Sequence, residues 1–117
     1  MTSELLFEPD GKSHKLFFHA NQERIIRFQI PDEPTITSVE IKGINQNKFD
    51  KFKLLMSKGN ILPTSENSLY LRPAWENGYV GKFNDDCGCF CKGCNYTVLV
   101  SNGPNEGYIT IGGKTSG

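Results

Sequence analysis

The chain has 117 residues, near the commonest size of one domain, and is 37% hydrophobic and 11% aromatic, enough to bury one core. Lysine plus arginine equals aspartate plus glutamate, 13 each. That balance argues against nucleic acid or an anionic membrane surface as the main partner, since both reward concentrated positive charge.

No apolar run is long enough to span a bilayer. The first residues, from Met1 to Pro9, lack the basic start and apolar stretch of a signal peptide. This leaves a cytosolic protein or a fragment of a longer secreted chain. A net charge of zero gives a free domain little colloidal protection, and residues 113–117 read as a flexible linker. Both favour the fragment, with one domain over residues 1–112.

Short apolar or alternating segments follow in order. They predict strands over residues 4–8, 15–19, 24–30, 36–42, 51–57, 68–72, 79–83, 95–101 and 108–112. Asp10-Gly11, Pro31-Asp32-Glu33-Pro34, Lys58-Gly59-Asn60, Asn77-Gly78 and the stretch from Asn102 to Gly107 separate them. Glycine and asparagine accept positive φ there, and proline stops ladder pairing. In the third segment Ile26, Phe28 and Ile30 share one face. In the eighth, Tyr96 to Val100 form an apolar run that predicts burial on both faces. The eighth and ninth are expected to form a hairpin with an exposed tip. No window of a dozen residues holds a helical period. The pattern predicts an all-β fold, an antiparallel β-sandwich of about eight to nine short strands.

Cys87, Cys89, Cys91 and Cys94 fall within eight residues. Three readings are open. A pair of local disulfides fits an even cysteine count in a small domain. Residues two apart in a strand lie about 6.7 Å apart, at the edge of disulfide reach, so the chain must bend, and Gly88 and Gly93 permit that. Four thiolates would also suit zinc or copper, though one tight loop would have to wrap the ion. Cys91-Lys92-Gly93-Cys94 has redox spacing without the βαβ context it needs. The disulfide reading is preferred. Asn95-Tyr96-Thr97 is an N-glycosylation acceptor pattern, although an unmodified strand residue is the plainer reading.

The remaining candidates are weaker. Asn84, Asp85 and Asp86 offer hard oxygen ligands that suit calcium, against a solvated turn, and Asp50 could join them only through the fold. Lys51 and Lys53 alternate with Phe52 and Leu54 as the wet face of a strand, beside Lys48 and Lys58. Trp75 is expected in a loop, packed or stacking on a ligand. His14 and His19 would face opposite sides of one strand. No nucleophile elbow, zinc-protease, P-loop or dinucleotide motif is present, so no enzyme is expected. A pocket placing either histidine beside a cysteine or carboxylate would revive catalysis.

Phe52-Lys53-Leu54-Leu55-Met56-Ser57-Lys58-Gly59, Pro63-Thr64 and Ser68-Leu69-Tyr70-Leu71 occur in that order. They are followed by Asn95-Tyr96-Thr97-Val98-Leu99-Val100 and Glu106-Gly107-Tyr108-Ile109-Thr110-Ile111. In order and spacing this resembles the bacterial pre-peptidase C-terminal domain family, over about Leu16 to Gly112. The resemblance implies a jelly-roll-like β-sandwich appended to larger extracellular proteins, accessory or structural and not catalytic. Some members bind calcium through acidic residues. Here Lys53 stands near where the family tends to have aspartate, and the cysteine cluster departs from the family's usual single disulfide. The expected role is a non-catalytic extracellular or cell-surface module of a larger chain, structural or binding protein or glycan, with no membrane insertion by this segment. The rival is an intracellular metal-binding or interaction domain whose four thiols stay reduced.

Overall fold

A computed structural model describes residues 3–33, 35–45, 52–64, 66–67, 70–75, 80–83 and 90–115. The strands are β1 (Ser3–Phe7), β2 (Ser13–Phe18), β3 (Glu23–Gln29), β4 (Ile36–Asn45), β5 (Phe52–Lys58), β6 (Tyr70–Trp75), β7 (Val80–Phe83), β8 (Asn95–Ser101) and β9 (Gly107–Thr115). They form a five-stranded sheet, ordered β1-β3-β8-β5-β6, and a four-stranded sheet, ordered β2-β9-β4-β7. The described residues contain no helix. The core lies between the sheets, as in a β-sandwich.

Alternation explains which side chains enter that core. Ile26 and Phe28 of β3, Tyr96, Val98 and Val100 of β8, and Phe52, Leu54 and Met56 of β5 point inward and are buried. Val39 and Ile41 of β4, with Ile109 and Ile111 of β9, meet them from the other sheet. Ile36 breaks the parity of β4, being three residues before Val39. A register shift between Ile36 and Ser38 restores it and buries both. A second shift, opposite Phe52 and Leu54, lies in β6, where Pro73 occupies the sheet edge. An edge strand tolerates a missing donor there.

Several expectations need correction. β8 and β9 are not a hairpin, because they belong to different sheets. Both need their apolar inner faces buried, and the loop between them crosses the sandwich. Asn102 holds the crossing: its amide nitrogen donates to the carbonyls of His19 and Asn105, at 2.9 Å each. Its backbone N–H donates to Gln22, and the Asn21 N–H donates to the Gly103 carbonyl. The two crossovers, β2 to β3 and β8 to β9, thus brace each other. Residues 113–115 are not a linker, since β9 continues to Thr115 and pairs with β4 up to Ile36. Trp75 is not in a loop but ends β6, its Cα opposite Phe52.

At Gly112 a Cβ would come within 2.8 Å of the Lys12 carbonyl oxygen, in the backbone next to β2. Gly112→Ala should therefore destabilise the fold by about 1–3 kcal/mol through overpacking. Phe28→Ala, at a side chain only 1% exposed, should cost about 3–5 kcal/mol. Urea denaturation followed by tryptophan fluorescence measures both. An unchanged midpoint in either variant would contradict the packing described.

Candidate functional site

Cys91 and Cys94 are joined by a disulfide, with Cα atoms 5.6 Å apart. Gly93 makes the turn between them at φ +79°. The Gly93 N–H donates to the Ile30 carbonyl, and the Ile30 N–H donates to the Cys94 carbonyl, at 2.8 and 3.0 Å. Phe90, just before the loop, packs edge-on to Tyr96 and Phe28. The loop is thereby clipped to the end of β3. Cys87, Cys89 and the Asn84-Asp85-Asp86 cluster lie outside the described residues, as do Lys48, Asp50 and Lys51. Asn95 opens β8 half-buried, and its carbonyl accepts from the Gly59 N–H. Lys53 and Lys58 are exposed on β5.

His14 lies in β2 with Nε2 3.2 Å from the Asp10 carboxylate. His14 lines an open cleft between β1 and β2, about 650 Å³ in volume, whose walls include Leu5, Phe7, Leu16 and Ile111. This is the juxtaposition that would revive catalysis. It is half of a catalytic set, an imidazole with an orienting carboxylate. The geometry is accounted for by the turn. Asp10 also accepts the Lys12 N–H at 3.0 Å, and His14 packs edge-on to Phe7. The Lys12 N–H first, then His14, hold the Asp10 carboxyl below the usual carboxylate range. His19 is exposed and edge-on to Phe17.

The constellation that sequence reasoning missed is centred on Arg27. Its guanidinium donates to Glu4 Oε1 at 3.0 and 3.2 Å, to the Asn60 carbonyl at 3.0 Å and to Thr97 Oγ1 at 3.1 Å. Thr97 in turn donates to the Gly59 carbonyl at 2.8 Å, so its buried hydroxyl is satisfied. Ser57 Oγ donates to the Ile61 carbonyl. These bonds lay residues 59–61 over the outer face of the five-stranded sheet and tie β1 to it. The result gathers apolar side chains in water. Leu6 is the register partner of Arg27 and 76% exposed, while Ile61 and Leu62 are 63% and 48% exposed. Arg27 is thus flanked by Leu6 on one side and the Asn60–Leu62 turn on the other. The apolar pair Ile61-Leu62 inside a turn-rich stretch was the available sequence signal.

No family model matches the chain, and no curated protein is significantly similar to it in sequence. Solved structures share its fold. PliG of Aeromonas hydrophila, a periplasmic inhibitor of g-type lysozyme, is 5% identical with a TM-score of 0.57 and covers 97% of this chain and 100% of its own. The Yersinia pseudotuberculosis-derived mitogen is 10% identical with a TM-score of 0.54, covering 92% and 87%. PirA is 16% identical with a TM-score of 0.50, covering 86% and 92%. At these identities the likeness is of fold alone.

Two outcomes test this geometry. Arg27→Met should cost about 1 kcal/mol or less, because Glu4 and the Asn60 carbonyl are exposed and turn to water when the guanidinium is lost. Amide exchange over Ser3–Phe7 should also speed up; unchanged exchange there would refute the tie to β1. His14→Ala should raise the Asp10 titration midpoint toward the ordinary value, read by NMR. Since the folded midpoint lies below the unfolded one, the stabilisation from Asp10 is complete above the ordinary carboxylate range. It is lost as pH falls through the folded midpoint.

Proposed function

We propose that this chain is a non-catalytic, jelly-roll-like β-sandwich module that binds another protein. The observation that carries this reading is the exposed apolar group Leu6, Ile61 and Leu62 around Arg27. Exposed apolar clusters set beside an ordered arginine are the usual chemistry of protein interfaces. The strand order supports the jelly-roll part. β2-β9-β4-β7 in one sheet and β3-β8-β5-β6 in the other is the interleaving of two Greek keys, with β1 added at an edge. The same arrangement is what the resemblance to the pre-peptidase C-terminal family implies, and that family remains part of the proposal on the residues quoted for it.

An oxidising compartment, outside the cell or in a periplasm, is the proposed setting. The Cys91–Cys94 bond supports it, as does the shared fold with a periplasmic inhibitor. Larger parent chains are the proposed context.

The test compares the chain with an Ile61→Ser, Leu62→Ser variant as bait for proteins of the secreted fraction. Surface changes of this kind alter stability by about 0.5 kcal/mol or less. A partner held by the wild type should be lost by the variant at least about tenfold, the equivalent of 1.4 kcal/mol. Equal retention by both would overturn the assignment of this face.

A further inference from the structure

The edges of the two sheets differ in how they are protected. In the five-stranded sheet, β6 carries Pro73 and an irregular register. In the four-stranded sheet, β7 spans only four residues and β2 carries the exposed Lys15. Short strands, prolines, lysines and bulges are the devices that stop an edge from accepting another strand. β1 has no proline, lysine or bulge, and its one charge, Glu4, is taken up by Arg27 of β3. Its sequence is Ser-Glu-Leu-Leu-Phe, its parallel register with β3 is unbroken over five pairs, and Leu6 is 76% exposed. Among the described residues β1 pairs with β3 alone. In such a pairing alternate residues turn their N–H and C=O away from the neighbour.

β1 and β2 form the same open side of the sandwich, and the 650 Å³ cleft runs between them. Its floor is apolar, with Ile111 fully buried, Phe7 4% exposed, and Leu5 and Leu16 half-buried. A strand laid along β1 would send every second side chain toward that floor and the others toward Leu6. At the C-terminal end of β1 lies a second cavity of about 340 Å³, walled by Pro9 and Pro31 and rimmed by Glu8, Asp10 and Glu33. No cation is among its described lining residues. A side chain with an apolar stem and a positive head complements both the prolines and the rim.

We propose that the free edge of β1 is a strand-addition site. It takes an extended segment of a partner protein that alternates apolar residues and carries a lysine or arginine to meet Glu8 and Glu33. Main-chain bonds to β1 would supply the affinity, and the cleft and the acidic cavity the selectivity. The inference rests on the protein-binding reading and names the place and chemistry of the contact.

A random dodecapeptide library displayed on phage, panned against the full chain, supplies the probe. Enriched peptides should alternate apolar residues and carry lysine or arginine toward one end. Methylating alternate main-chain nitrogens of an enriched peptide should weaken binding at least about tenfold in one register and little in the other. A Glu8→Lys, Glu33→Lys variant should bind the peptide at least about tenfold less well, with recovery when its cationic residue becomes glutamate. Binding indifferent to methylation but lost in Ile61→Ser, Leu62→Ser would overturn the strand-addition site and keep the protein-binding reading. No enrichment at all overturns the site and leaves the outer face to its own test. A dimer in sedimentation that Leu6→Lys dissociates would assign the edge to a second copy and overturn the proposal.

Discussion

Tyr96 stacks on Phe28 with ring centroids 5.5 Å apart and planes 21° from parallel. The pair joins β8 to β3 at the middle of the five-stranded sheet, and other parts of the fold are hung from it. Phe7 meets Phe28 edge-on at 6.0 Å, which seats β1. Phe90 meets both rings, which seats the approach to the disulfide loop. Cys91 Sγ lies 3.5 Å from the Tyr96 hydroxyl. One aromatic contact therefore seats two features, the N-terminal edge strand and the cysteine loop. Offset and edge-to-face rings add specific geometry to a large buried area, so the seat is directional as well as apolar.

The sandwich itself was legible because its signal is local. Ile26, Phe28 and Ile30 alternate with polar residues, and all three are buried. Tyr96 to Val100 read as covered on both faces; Thr97 is fully buried and Leu99 half-buried on the outer side. What failed were questions of pairing. An apolar face says that a strand must be covered, not which sheet it joins, so β8 and β9 looked like neighbours. Pro73 and Asn77-Gly78 made Trp75 look like a loop residue, although a proline at an edge leaves the strand intact. Residues 113–117 looked like a linker, yet β9 runs on to Thr115, and Gly113 serves a close approach of β9 to Pro9.

The candidate surfaces were less legible for a related reason. Arg27 gathers partners 23, 33 and 70 residues away, from three separate parts of the chain. In sequence it is simply the polar member of an alternating strand. The cleft has walls from β1, β2 and β9, which lie in two sheets. No motif encodes such a place; it exists only once the sheets are stacked. A β-sandwich hosts many roles, so rims, edges and outer faces carry more functional information here than the architecture does.

The strand order also sets the tempo of assembly. Only β5 and β6 pair as neighbours in sequence among the described strands; β2 must wait for β9, and β3 for β8. Each such closure spends chain entropy before any contact returns it, and topologies dominated by distant pairings fold in about milliseconds to seconds. In a chain made from its N-terminus, β2 and β3 emerge long before their antiparallel partners. During that interval the parallel pair β1–β3 has no neighbour on either side. The fold is thus most open to capture by other strands while it is being made, a hazard that chaperoning or a tethered neighbour domain would relieve.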